Sequence, residues 1–108
     1  MAQVEVLAGV CGFRTRIIAR ADEAYTVTLQ IESDCAHIRK LAEQLTELAA
    51  LEELMRPIHQ TTVYQLAGNC RTHAACPVPS AILKAVEVAA GMALPADVQI
   101  TIRPGEEA

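Results

Sequence analysis

From Tyr25 to Glu32 the chain alternates without a break, with Tyr25, Val27, Leu29 and Ile31 on one side and Thr26, Thr28, Gln30 and Glu32 on the other. A period of two puts every apolar residue on one face of an extended strand, so this segment specifies a sheet with a single buried face. The run before it repeats the pattern. After Gly12, Phe13, Thr15, Ile17 and Ala19 share one face, and Arg14, Arg16, Ile18 and Arg20 share the other. Joined by the turn Ala21-Asp22-Glu23-Ala24, the two runs predict an antiparallel hairpin. Val4 to Leu7 predicts a shorter first strand that stops at Ala8-Gly9.

At Ser33-Asp34 the period changes. Either residue can cap a helix, and Ile38, Leu41, Ala42, Leu45 and Leu48 recur at three and four, which predicts an amphipathic helix over 34–49. A short helical piece from Leu51 to Arg56 is stopped by Pro57, and Thr61-Thr62 caps a third helix, Val63 to Ala67, which Gly68-Asn69 ends. The fourth opens on Pro77 or Pro79, buries Ile82, Leu83, Val86 and Ala90, and closes at Gly91. Val98, Ile100 and Ile102, alternating with Gln99, Thr101 and Arg103, predict a last strand, and residues 103–108 a frayed tail. The expected architecture is one domain over 1–108, an α+β two-layer fold with an antiparallel three- to four-stranded sheet and helices on one face.

With 52% apolar residues but one Phe, two Tyr and no Trp, the core is aliphatic. Nine basic against thirteen acidic residues leave a net charge of -4, which excludes the broad electropositive surface of a nonspecific nucleic-acid binder. The N-terminus lacks a basic leader, Glu5 interrupts its apolar run, and no uncharged stretch approaches the roughly 18 apolar residues of a membrane span. A cytosolic location is therefore expected, where cysteines serve as thiols, metal ligands or redox groups rather than as permanent disulfides.

Four cysteines are present, and each falls at the end of a predicted element. Cys11 sits in the Gly-flanked connection A-G-V-C-G, Cys35 in the first turn of the first helix, Cys70 past the third helix, and Cys76 ahead of the proline-led fourth. Helix N-termini favour an anion, so Cys35 and Cys76 occupy positions where a thiolate forms most readily. Thiolates bind soft metals and attack sulfur.

Three features together, V-C-G before a strand, a hairpin leading to a Cys at a helix start, and C-P-V-P-S-A-I-L-K-A-V-E-V-A as the last helix, resemble the iron-sulfur cluster assembly scaffold proteins of the IscU/NifU group. The C-P opening of the last helix is also similar to the TSCPD domain. Matched residue by residue, the resemblance puts the scaffold cysteines at Cys11, Cys35 and Cys76 and implies a fold that gathers them at one end. The chain departs from that group at Phe13, where members carry an acidic residue, at Ala75, where many carry a His, and in lacking an L-P-P-V-K segment.

The leading expectation is a scaffold-like protein that binds an iron-sulfur cluster or zinc through Cys11, Cys35 and Cys76, with Cys70 or His73 as fourth ligand. Its protein partner would be a sulfur donor or a cluster acceptor, and a homodimer is left open. The alternatives are a metal-free thiol or persulfide carrier using Cys35 or Cys76, and an interaction domain working through the arginines of the open sheet face. His37 and His59 are expected at the surface. No phosphate-binding Gly loop, G-x-S-x-G elbow or H-E-x-x-H stands in the chain, so no enzyme class is indicated.

Overall fold

The computed structural model describes residues 1–106. Strands β1 (Ala2–Leu7), β2 (Arg14–Ala21) and β3 (Thr26–Ser33) form an antiparallel meander, with Val4 opposite Ile17 and Ile17 opposite Ile31. Thr15, Ile17, Ala19, Val27 and Leu29 are buried on its inner face, as the alternation requires. Two residues predicted for that face lie just outside it. Phe13 is exposed ahead of β2, and Tyr25 occupies the β2–β3 turn at φ 63°. A left-handed Tyr costs about 1 kcal/mol. Asp22 offsets this by accepting the N–H groups of Ala24 and Thr26 through Oδ1, each at 2.9 Å.

Helix α1 spans Ala36–Gln44 and is shorter than the periodicity implied. Its apolar repeat continues through Leu45 to Leu48, but the chain leaves the helix after Gln44 and returns as a short strand, β4 (Glu47–Ala49), beside β3. Leu48 then reaches the core from a strand, opposite Val27. The competing force is the open edge of β3. Its Leu29 N–H donates to Thr46 O at 2.8 Å, and its neighbour Tyr25 accepts the Ala50 N–H at 3.0 Å, so strand pairing satisfies backbone groups that a longer helix would leave bare. Among the described residues the sheet has four strands in the order β1-β2-β3-β4.

Helix α2 (Ala50–Leu54) follows directly, then a single 3-10 turn at Ile58–Gln60, α3 (Thr62–Asn69) and α4 (Val78–Ala89). Thr61 caps α3 by accepting the Tyr64 N–H. Helix α4 lies on β1 and β2 while α1 lies on β3, and between them Ile38, Leu41, Leu45, Ile82 and Val86 meet the sheet. Each such side chain contributes about 1.5–3 kcal/mol by leaving water. Gly91, at φ 75°, reverses the chain after α4, and Met92 N–H returns to Glu87 O at 2.8 Å.

The predicted last strand does not form. Val98, Ile100 and Ile102 are exposed and belong to no strand among the described residues, because the alternating pattern finds no neighbouring strand to pair with. Residues 103–106 are exposed and irregular, and residues 107–108 of the expected tail lie outside the described residues.

One charged group is built into the core. Glu53 of α2 is 1% exposed and accepts the backbone N–H groups of Thr62 and Val63, both at 2.9 Å, so a carboxylate from one helix satisfies the N-terminus of another. Arg56 approaches it at 3.5 Å. Replacing Glu53 by Gln turns one acceptor into a donor that faces an N–H, and the expected loss is about 1–3 kcal/mol of folding stability. Thermal unfolding would register this as a fall of roughly 4–8 °C per kcal/mol. An unchanged melting temperature would show that α3 does not depend on this cap.

Candidate functional site

Antiparallel pairing decides which chain segments share an end of the sheet. Leu7 stands opposite Arg14 and Thr15 opposite Ser33, so the β1–β2 loop and the exit of β3 lie side by side. Cys11 is on that loop and Cys35 is two residues beyond that exit.

The loop is a tight one. Ala8 N–H donates to Phe13 O at 3.2 Å and Gly12 N–H to Gly9 O at 2.9 Å, with Gly9 at φ 92° and Gly12 at φ 72°. Both glycines are needed for these left-handed positions. Cys11 is exposed at the tip beside Val10, which is fully exposed.

Cys35 is itself the residue that begins α1, in place of Ser33 or Asp34. Those two are engaged elsewhere. Ser33 Oγ accepts the Cys35 N–H at 3.1 Å and lies 2.8 Å from Thr15 Oγ1. Asp34 Oδ2 accepts the Arg14 N–H at 3.2 Å. Arg39 donates to the carbonyls of Ser33 and Asp34, so this bend is tied both to β2 and to the helix it opens. The Cys35 side chain caps nothing and is half-buried.

Cys76 precedes Pro77 at the start of α4, and its N–H donates to His73 O at 3.0 Å. Its thiol is pushed above the ordinary value chiefly by burial, against a hydrogen bond from the Val78 N–H that acts in the opposite direction, and further by the charges of Cys35 and Cys11. The helix N-terminus therefore works as the sequence implies but does not prevail, because removing a thiolate from water outweighs one N–H. Charges on Cys35 and Cys11 thus reach Cys76, so thiols from three separate stretches of chain lie toward one end of the domain.

Cys70 occupies a different environment. It ends α3, is 4% exposed within the aliphatic core, and its sulfur accepts the Gln44 amide at 3.6 Å. His73 is exposed on the turn before Cys76. His37 Nδ1 lies 3.0 Å from the Cys70 carbonyl. A carbonyl only accepts, so Nδ1 is the donor in this contact. His59 is on the exposed 3-10 turn, 3.5 Å from Gln60 Nε2.

Beside this end of the sheet runs an open groove of about 590 Å³, with Glu5, Arg14, Arg16, Glu32 and Asp34 along it. Arg16 stands opposite both Glu5 and Glu32 in register, so the arginine face is charge-balanced across the strands. Among the described residues, no three His, Cys, Asp or Glu side chains already stand at metal-ligand spacing, and no helix is long and apolar enough to cross a membrane.

A family profile matches residues 2–102. The chain belongs to DUF6951, a family of unknown function. No curated protein and no solved structure matches it.

For this DUF6951 chain, the position of Cys76 predicts a distinctive alkylation profile. Its raised pKa leaves little thiolate at mildly alkaline pH, so it reacts with iodoacetamide more slowly than exposed Cys11, and its rate climbs as pH rises through the folded-state value. Cys35→Ser removes a charge that opposes ionisation and accelerates Cys76 at fixed pH. A Cys76 rate indifferent to that substitution would contradict the proximity of the two thiols.

Proposed function

We propose that Cys11, Cys35 and Cys76 form a thiolate site that takes up a soft metal, zinc or the iron of an iron-sulfur cluster, in a small scaffold-like protein that handles clusters or sulfur. The observation that carries this reading is the sheet register that sets the β1–β2 loop with Cys11 beside the β3 exit with Cys35, together with the reach of both charges to Cys76 at the start of α4. Thiols from three segments directed to one end are an arrangement a thiophilic cation stabilises, since metal charge favours the deprotonated form of each ligand.

The resemblance of V-C-G, the helix-opening Cys35 and the C-P helix start to the IscU/NifU group supports the same three ligands. Cys11 rides on a glycine-hinged turn, so the site closes by small movement of that turn toward the ends of α1 and α4. Cys70 stays in the core, and the fourth position falls to His73, His37 or an exchanging ligand. Three protein thiolates with one open position suit transfer better than a permanent structural metal. The protein partner in such transfer is a sulfur donor or a cluster acceptor, and a reducing compartment, the cytoplasm, suits its free thiols.

The test is metal and acid-labile sulfide content of protein purified anaerobically, beside Cys76→Ser and Cys70→Ala variants. Near-stoichiometric iron with sulfide, or zinc without it, is expected in the wild type and in Cys70→Ala, and neither in Cys76→Ser. No metal in the wild type after reconstitution would overturn the metal site and favour the metal-free thiol carrier. Loss in Cys70→Ala alone, with the fold intact by circular dichroism, would relocate the site.

A further inference from the structure

The segment after α4 has the sequence pattern of a strand and no strand to join. Val98, Ile100 and Ile102 are 60%, 70% and 87% exposed and alternate in sequence with Gln99, Thr101 and Arg103, so an extended backbone would put all three on one side. The arm leaves the body. The molecule measures 54 × 28 × 24 Å and its radius of gyration is 14.3 Å, larger than the roughly 13 Å of a compact chain of this length. Three exposed aliphatic side chains in strict alternation are a cost in a solvated tail and an asset in a sheet.

The sheet offers an edge of matching character. Its two edges are β1 and β4, and β4, three residues long, is too short to take up the arm. Strand β1 runs for six residues without Pro, and its inner face is wholly apolar: Ala2, Val4 and Val6, the last two only half-buried against the core. Its one charge, Glu5, points to the outer face. None of the usual devices that blunt an edge, such as Pro or an inward-pointing charge, is present.

We propose that this protein forms a two-fold dimer in which the Val98–Ile102 arm of each copy adds as an antiparallel strand to the β1 edge of the other. With Ile100 opposite Val4, Val98 falls opposite Val6 and Ile102 opposite Ala2, so the three exposed aliphatics extend the inner apolar layer and complete the burial of Val4 and Val6. Gln99 and Thr101 then stand opposite Glu5 and Gln3 on the outer face. A reciprocal exchange uses each arm and each edge once and closes with no edge of β1 left open. A second copy is the occupant because the arm's aliphatic residues stay exposed rather than covering the chain's own β1 edge, while every copy carries both halves of the pairing.

The test is light-scattering mass across a concentration series on the full chain, beside Ile100→Asp, together with crosslinking of a Val4→Cys, Ile100→Cys chain made from mixed isotope-labelled and unlabelled copies. A dimer is expected, with Ile100→Asp raising its dissociation constant by at least about a hundredfold because two arms each lose a buried Ile. The residue is exposed in the single chain, so circular dichroism of this variant should match the wild type. Peptide mapping should find residue 4 of one isotope joined to residue 100 of the other. A wild type that stays monomeric, a dimer indifferent to Ile100→Asp, or a bond confined to one isotope would each overturn the proposal, the last by showing that the arm closes on its own edge.

Discussion

The two-period alternation of β2 and β3 is the constraint from which the rest of the structure follows. It leaves the sheet one apolar face, bearing Ile17, Ala19, Val27 and Leu29, and that face is excluded from water only if helices cover it. Helices α1 and α4 do so, and the positions at which they begin are dictated by where the chain leaves the sheet. Because β3 exits beside the β1–β2 loop, α1 starts there with Cys35, and the start of α4 brings in Cys76 near the same two thiols. The gathering of the thiols is thus a consequence of covering the sheet rather than a separate feature of the chain.

At that end, burial and charge act together. Cys76 pays for its shelter with a harder ionisation, the Val78 N–H offsets part of that, and the neighbouring thiols add to it. The charge-balanced groove between Glu5, Arg16 and Glu32 lies next to this end.

The hairpin and the helix-opening cysteines were legible in sequence because both rest on local signals, alternation and element ends. What was not legible depended on neighbours distant in sequence. Leu48 continues the helical repeat of Ile38, Leu41 and Leu45, and only the unpaired edge of β3 turns its segment into a strand. Val98 to Ile102 alternates as a strand would and forms none, because periodicity does not say whether a partner strand is at hand. Glu53 looks like any solvated helix carboxylate until α3 places its first N–H groups beside it. Cys70 shares its residue type and its helix-end position with the other cysteines, and only packing sets it in the core. For Cys76, helix position gave the sign of one contribution, while the larger one, burial, is a property of the folded chain.

The most direct measurement is zinc-edge X-ray absorption on protein loaded with one equivalent of zinc under reducing conditions. A site made by Cys11, Cys35 and Cys76 predicts three sulfur neighbours at about 2.3 Å and one lighter ligand. A shell of nitrogen and oxygen alone, or zinc that does not remain with the protein, would contradict the account.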